Sequence, residues 1–246
     1  MQIQGRNIAE AIQASLRALE CYGEVSVTES WQGRDDIDFS FLELINLSLK
    51  FPMSNNLAEL ERLSKPTMPW AEDHFRERVS GQPLNPPPSH KQWLTKTDDY
   101  LSDSKKFSHS YPERLWPKGL TKGIRFDTAD LHDAVKLLKA NPTTRQCFVP
   151  IYFPEDLTAA LQKERVPCTI GWHFIIRQNQ MHVFYPMRAC DALRHFHNDL
   201  YFANRLAMWI KDQAGLDEVE MGHMHFSCTS FHCFVNDKYA LNKAIK

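Results

Sequence analysis

The chain has 246 residues, of which 43% are hydrophobic, so it can bury a sizeable core in one domain. Its formal charge of -1 and sequence pI of about 6.8 offer no basic surface for long nucleic acid, so any nucleotide partner should be small. No apolar run approaches the roughly 20 residues that a membrane span requires, which excludes a membrane protein.

Cysteine usage indicates the cellular compartment. The chain has six cysteines, and its first residues, Met1 to Ala9, are polar rather than an apolar secretion signal. We therefore expect reduced thiols and a cytoplasmic protein.

In the first half of the chain, Asn7 to Cys21 has apolar residues at helical spacing and Phe39 to Phe51 reads as a strand. A helix is predicted over Trp70 to Val79. Gln82 to Phe107 is polar and rich in proline, and we interpret it as an irregular surface excursion. No composition shift or repeat follows it, so a single domain over 1–246 is predicted.

The second half mixes helices with strands. The predicted elements are a helix over Asp127 to Lys139 capped by Asp127, a buried strand over Cys147 to Phe153, a hairpin of Cys168 to Ile176 and Met181 to Tyr185, a helix over Asp199 to Gln213, and a last strand over Gly222 to Phe234. Helices together with a mixed sheet predict an α+β fold.

Cys168 is the candidate nucleophile, since it heads an apolar run directly after Pro167. Cysteine forms a strongly nucleophilic thiolate, and a neighbouring guanidinium favours that form by Coulomb attraction. Arg188 could be that neighbour. The alternative for Cys168 is a small buried hydrophobic residue.

A series of short motifs follows in a characteristic order: Asn141 to Arg145, Pro167-Cys168, Arg188-x-x-Asp191, Phe196 to Asp199, and Ser230 to His232. In this order and spacing the chain resembles the thymidylate synthase and pyrimidine nucleotide hydroxymethylase superfamily. The resemblance covers roughly Gly33 to Asn236 and is better in the second half. It implies an α+β fold whose mixed sheet is packed with helices. It also implies a homodimer in which the two subunits associate through their sheets.

The resemblance also implies a reaction. Cys168 would add to C6 of a pyrimidine nucleoside monophosphate so that C5 becomes nucleophilic, and 5,10-methylenetetrahydrofolate would supply the one-carbon unit. Tyr111 matches a tyrosine near C5, and Asp191 matches an aspartate that contacts the pterin. His74 takes the place of the general-base glutamate, and a histidine can move protons near neutral pH.

Three arginines are candidate phosphate ligands, because guanidinium groups bind two oxygens at once. Arg34 and Arg188 would act within the subunit, while the resemblance implies that Arg145 crosses from a second subunit into a shared site. Arg34 could instead be a solvated loop charge. His232 would bind the sugar 3'-hydroxyl.

The resemblance also implies which residue reads the base. Counted from Arg188, it is Asp199 if the match to the family has no gap, or Asn198 if the match has a gap of one residue. Thymidylate synthases carry asparagine there and cytidylate hydroxymethylases carry aspartate. A carboxyl group can accept from the exocyclic amine of cytosine. We therefore predict cytidylate 5-hydroxymethylation, while Asp199 could instead be an ordinary acid at a helix N-terminus.

Several residues differ from the motifs of the resembled family, so alternative functions stay open. Gln146 and Ala189 replace an arginine and a serine that bind phosphate in relatives, and Phe234 replaces a tyrosine at the sugar. The segment that closes over folate is expected to be largely missing. Methylation of dUMP, or a degenerate member that binds nucleotide without turnover, remain alternatives.

A zinc protein is the alternative from another class. His223, His225, Cys228, His232 and Cys233 lie within one short segment, and mixed histidine and cysteine ligands suit zinc. Their spacing fits no standard zinc finger. An extended strand would also direct His232 to the face opposite His223 and His225, so no metal site is predicted.

Overall fold

The computed structural model describes residues 1–28, 39–93, 101–102, 104–120 and 128–246. The helices are α1 (Ile8–Tyr22), α2 (Leu57–Ser64), α3 (Trp70–Arg78), α4 (Tyr111–Leu115), α5 (Leu131–Ala140), α6 (Glu155–Leu161), α7 (Phe196–Ala214) and α8 (Lys238–Ala244). The strands are β1 (Gln2–Gln4), β2 (Glu24–Thr28), β3 (Phe39–Pro52), β4 (Phe148–Pro150), β5 (Gly171–Arg177), β6 (Gln180–Asp191) and β7 (Glu220–Phe234). Within those described ranges, no helix has the length and apolar character of a membrane span.

One mixed sheet organises the fold. Its strand order is β1-β3-β7-β6-β5-β4, and β2 pairs with β3 beside that path. The pairs β1/β3 and β6/β7 are parallel, whereas the other pairs are antiparallel. Helices α1 and α7 pack against β3 and β6. The predicted α+β class with a mixed sheet is confirmed.

The two longest helices form for reasons visible in the sequence. The Asn7 side chain caps α1 by accepting a hydrogen bond of 3.0 Å from the Glu10 backbone N–H, and the apolar face of α1 is buried. The buried face of α7 includes Leu200, Leu206 and Ile210. Both predicted inward faces therefore contribute to the core.

Several predicted boundaries are wrong. Helix α5 begins at Leu131 and is capped by Asp130, while Asp127 lies outside the described residues. The strand predicted over Cys147 to Phe153 is only Phe148–Pro150, because Pro150 lacks the N–H that would continue a ladder. The predicted strand Met181 to Tyr185 extends to Asp191, and α7 begins at Phe196, three residues before the predicted start.

The segment from Gln82 to Phe107 is not simply a surface excursion. Ser89 and His90 are buried, and the Ser89 backbone N–H donates to the Glu77 carboxylate at 2.7 Å. The Asn85 side chain exchanges two hydrogen bonds of 2.9 Å with the backbone of Phe107. The described parts of this segment are thus attached to α3, while residues 94–100 and 103 lie outside the described ranges.

The buried side chains of β7 switch from even-numbered to odd-numbered positions part-way along the strand. Met224, Phe226 and Cys228 are buried first, whereas Phe231 and Cys233 are buried near the end of the strand. Phe226 and Phe231 both contact the ring of Phe196, so they share one face. The pairing with β3 and β6 skips Thr229, which is where the alternation slips. His232 therefore lies on the same face as His223 and His225, contrary to the prediction from strict alternation.

A buried ion pair links α4 to α6. The Arg114 guanidinium contacts the Asp156 carboxylate at 2.7 and 3.1 Å, and the two residues are 8% and 3% exposed. Asp156 also accepts from the Phe153 backbone N–H at 2.7 Å. Helix α4 is therefore fixed in place by a charge pair that solvent does not screen.

We expect Asp156→Ala to lower the free energy of unfolding by about 3–5 kcal/mol, because it leaves the Arg114 charge buried and unpaired. Urea unfolding followed by circular dichroism measures this loss. Arg6→Ala, which removes an exposed ion pair with Glu10, is the control and should change stability much less. An equally small effect of Asp156→Ala would show that the buried pair is not a determinant of stability.

Candidate active site

Cys168 lies in the segment that leads into β5, beside the guanidinium of Arg188. Arg188 NH2 is 3.9 Å from the Cys168 sulfur. The same guanidinium donates to the carbonyl oxygens of Pro167 and Val166 at 2.8 and 2.9 Å, and the backbone N–H of Arg188 donates to the Cys168 carbonyl. Arg188 is thereby held next to the thiol, as predicted from the sequence.

The electrostatic balance at Cys168 differs from the expectation. Burial raises the pKa of the thiol above its ordinary value, and the negative charge of Asp199 also raises it. The positive charges of Arg188 and Arg165 lower the pKa but do not outweigh burial. Arg188 therefore acts in the predicted direction, while the thiol is not activated in this structure.

Tyr111 begins α4, where Ser110 and Glu113 form a capping box. Its hydroxyl is 3.0 Å from the Thr169 hydroxyl, which is 3.0 Å from the hydroxyl of Tyr185. Burial raises the pKa of Tyr111 to about 12, so the phenol stays protonated near neutral pH. A chain of three hydroxyl groups is therefore centred on Thr169, the residue next to the candidate nucleophile.

The two candidate base-reading residues both lie in the first turn of α7, but their surroundings differ. Asn198 is 2% exposed and its side-chain oxygen accepts from the Thr67 backbone N–H at 2.8 Å. Asp199 accepts a weak hydrogen bond from the Cys190 thiol at 3.7 Å, and its charge acts on Cys168 and Tyr111. Of the two, Asp199 belongs with the candidate nucleophile, and Asn198 connects α7 to the loop before α3.

The carboxyl of Asp199 has an unusual proton affinity. Burial raises its pKa from 3.8 to about 7, although the positive charge of Arg78 lowers it. A carboxyl whose pKa is raised is stabilised in its protonated form, so its contribution to stability is complete below about pH 4. That contribution is lost as the pH rises towards 7.

We expect Asp199→Asn to raise the melting temperature more at pH 8 than at pH 5, because asparagine removes the burial of a charge. The effect of the substitution on the unfolding free energy should differ by about 2–3 kcal/mol between the two pH values, because roughly two pH units of the titration lie between pH 5 and 7. Thermal unfolding of both proteins at the two pH values measures it. Equal differences at both pH values would contradict a raised pKa.

Asp191 and His232 are paired across β6 and β7. The Asp191 carboxylate accepts from the backbone N–H groups of Leu193 and Arg194 at 3.0 and 2.9 Å, and from the Arg194 guanidinium at 3.2 Å. His232 Nδ1 is 3.2 Å from the Ser230 hydroxyl. The charge of Asp191 raises the pKa of Cys168, so this carboxylate lies within electrostatic range of the thiol.

A family model of thymidylate synthase matches residues 89–246, which is more than half of the chain. The chain belongs to the thymidylate synthase family. Among solved structures, the thermostable thymidylate synthase A from Bacillus subtilis superposes with a TM-score of 0.70 at 15% identity, covering 100% of this chain and 84% of that chain. No curated protein sequence matches the chain.

The thymidylate synthase family consists of transferases that act at C5 of a pyrimidine nucleotide and use methylenetetrahydrofolate.

In this member, His74 differs from the expectation for a proton carrier. Its Nδ1 is 3.0 Å from the Ser89 hydroxyl, and its ring stacks on Trp70. Burial, followed by the charge of Arg78, lowers the pKa of His74 to about 4, so it is neutral near pH 7 but has a low affinity for the proton that a general base must accept.

Of the predicted phosphate ligands of this thymidylate synthase family member, Arg145 has no described contact with Cys168 within the subunit. Arg34 lies outside the described residues. Arg145 is exposed in the turn before β4, where its carbonyl oxygen accepts from His173 at 2.9 Å. In the described parts of this subunit, only Arg188 of the three predicted arginines contacts Cys168.

The zinc alternative has no geometric support. Among the described residues, no group of three or more histidine, cysteine, aspartate or glutamate side chains could hold a metal ion. His223 and His225 lie near His182, and Cys228 and Cys233 are buried away from them. All six cysteines are free thiols.

The sequence reading missed two arginines. Arg165 lies three residues before Cys168, and its charge lowers the pKa of that thiol. Arg78 lies one helical turn after His74 on α3 and is buried against Tyr111. The spacing from His74 to Arg78 was the available signal, because residues four apart share a helix face.

Proposed function

We propose that this protein transfers a one-carbon unit to C5 of a pyrimidine nucleoside monophosphate through a covalent adduct of Cys168, and that the base is cytosine and the product its 5-hydroxymethyl form. The observation that carries the proposal is the arrangement of Cys168, Arg188, Tyr111 and Asp199 around one site. Membership of the thymidylate synthase family supports the transfer to C5.

Cys168 performs the covalent step. Its thiolate attacks C6 of the base, forming the sulfur–carbon bond, and the π electrons of the C5–C6 double bond move to C5 and the adjoining ring atoms. C5 uses this electron pair to form the bond to its new substituent. Loss of the C5 proton then leaves the electron pair of the C5–H bond, which re-forms the C5–C6 double bond and expels the Cys168 thiolate. Tyr111, kept protonated by burial, can hold a proton at the C5 side through its hydrogen bond with Thr169.

The residues around Asp191 fit a pterin. A carboxylate can accept from ring N–H groups, and beside it the rings of Trp93 and His195 stack at 5.2 Å, which offers a planar surface. Methylenetetrahydrofolate, when bound, supplies a one-carbon unit at the oxidation level of formaldehyde. Asp191 and Trp93 would hold and orient it.

We also propose a homodimer that shares its two sites. The outer face of the sheet exposes Ile45, Phe148 and Phe184 at 60%, 44% and 39%, an apolar surface that a second subunit would cover. Arg145 is exposed at one edge of that sheet, so it is available to the phosphate of the opposite subunit. Arg188 would bind the phosphate within the subunit, with Arg34 as a further ligand, and His232 would bind the sugar.

Methylation of dUMP is the second candidate, and the raised pKa of Asp199 favours it at low pH. A protonated carboxyl has one donor and one acceptor, as an amide has, so it can pair with O4 and N3–H of uracil. The departures at Gln146, Ala189 and Phe234 keep nucleotide binding without turnover as a third outcome.

Incubation with dUMP, dCMP, CMP or UMP together with methylenetetrahydrofolate, followed by mass analysis of the nucleotide, distinguishes these candidates. We expect a hydroxymethyl group on a cytidylate. A methyl group on dUMP would establish the second candidate. Binding of a nucleotide without any product would indicate a degenerate member.

A further inference from the structure

Arg78 is a buried cation in the wall of the site. It is 6% exposed, and its guanidinium carbon lies 4.1 Å from the ring centre of Tyr111 and 4.0 Å from that of Phe202. Its carbonyl oxygen accepts from the Trp116 indole at 2.8 Å. Both the backbone and the side chain of Arg78 are therefore fixed, with the guanidinium between two aromatic faces.

The Arg78 guanidinium forms no ion pair with a carboxylate among the described residues, although the charges of Asp199 and Glu77 act on it from a longer distance. Its Nε is buried without a hydrogen-bond acceptor, and no described carboxylate lies within ion-pair distance. The buried guanidinium of Arg114 and the partly buried one of Arg205 each have a carboxylate partner, at 2.7 and 3.0 Å. Because a buried cation is unfavourable unless it is paired, an acceptor from a bound ligand would complete this environment.

The surrounding charges show which end of the site Arg78 occupies. Burial lowers the pKa of Arg78, while Tyr111 and Asp199 are its main attractive neighbours. The other end is marked by Arg188 and Arg165, the cations that act on Cys168. Arg78 contacts Tyr111 and also Phe202, which lies three residues after Asp199 on α7 and so on the same helix face. A nucleotide whose phosphate binds Arg188 would therefore place its base beside Arg78 and Asp199.

The chemistry of cytosine matches this pair. Its pairing edge carries an amine donor at N4 and an acceptor at N3. An ionised carboxylate only accepts hydrogen bonds and a guanidinium only donates them. Asp199 alone would leave N3 facing oxygen lone pairs, whereas Asp199 with Arg78 offers one acceptor and one donor.

We propose that Arg78 is a specificity-determining residue that donates a hydrogen bond to N3 of cytosine while Asp199 accepts from the N4 amine. The inference rests on the proposed function, since it concerns the base that the site reads. Both contacts place the base in the layer between Tyr111 and α7.

Binding of cytidylate and of its 3-deaza analogue, in which a C–H group replaces N3, tests this contact by titration calorimetry. The buffer is held at about pH 9 so that Asp199, whose pKa burial raises to about 7, is ionised and cannot donate to N3 itself. Wild type should bind cytidylate roughly tenfold to a hundredfold more tightly than the analogue. In Arg78→Met, which keeps an unbranched side chain between the two rings, this preference should nearly disappear.

Arg205→Met is the matched control. Its guanidinium also lies over an aromatic ring, 4.4 Å from that of Phe75, but it pairs with Glu72 rather than facing Asp199. This variant should keep the wild-type preference for N3. Circular dichroism checks the fold of both variants. If Arg78→Met does not fold, equal binding of cytidylate and its 3-deaza analogue by wild type would still refute the contact.

Three results would overturn the proposal, and they show whether the proposed function fails with it. If wild type prefers cytidylate over uridylate but binds the 3-deaza analogue equally well, or if Arg78→Met weakens both ligands by the same factor, the contact with N3 is wrong and the proposed function stands. If wild type prefers uridylate, the cytosine assignment fails and the contact fails with it.

Discussion

Cys168→Ser is expected to lower the rate of hydrogen exchange at C5 of the nucleotide by roughly three powers of ten or more, while nucleotide binding is largely retained. The hydroxyl of serine is nearly isosteric with the thiol but is a far weaker nucleophile. Arg188 is held by the carbonyl oxygens of Pro167 and Val166, so the substitution leaves that guanidinium in place.

Release of tritium from C5 of the labelled nucleotide measures this effect, and calorimetry measures binding. Cys21→Ser is the control, because Cys21 is an exposed thiol at the end of α1. Undiminished tritium release by Cys168→Ser would remove Cys168 from the mechanism.

The fold was predictable where local signals agree with tertiary packing. Asn7 and Gly23 flank α1 with standard capping positions, and the apolar spacing of α7 indicates its buried face. The inversion of β7 was not predictable, because the slip at Thr229 arises from pairing with β3 and β6 on both sides. Strict alternation therefore placed His232 on the wrong face.

The candidate site was predictable from the order of its motifs but not from the properties of single residues. Cys168, Arg188, Asp191 and Asp199 lie within electrostatic range of one another, as their order along the chain suggested. Burial cannot be read from sequence, and it raises the pKa of Cys168 and lowers that of His74.

Arg78 was overlooked for a related reason. An arginine in the last turn of a helix is expected there, since a cation stabilises the helix C-terminus in water. Only the packing of α3 against α4 and α7 shows that its guanidinium is enclosed by Tyr111 and Phe202. Sequence patterns identify such a charge but not the absence of a partner.

The second prediction concerns Asp199 and the choice of base. Asp199→Asn is expected to shift selectivity from cytidylate towards uridylate by one to two powers of ten, because an unmatched buried donor or acceptor costs about 1–3 kcal/mol. The asparagine amide can donate to O4 and accept from N3–H of uracil, whereas the ionised carboxylate accepts from the amine of cytosine. Relative kcat/KM for the two nucleotides measures the shift, and relative binding replaces it if turnover is absent.

Asn198→Asp is the control for the neighbouring position. Asn198 holds the backbone of Thr67, so this variant should lose stability without changing the ratio between the two bases. The double variant Asp199→Asn with Arg78→Met should favour uridylate further, because N3–H of uracil would no longer face a cation. A wild-type preference for uridylate, or an unchanged ratio in Asp199→Asn, would replace the hydroxymethylase assignment with the uracil-directed one, since the first turn of α7 would then not be reading the exocyclic amine.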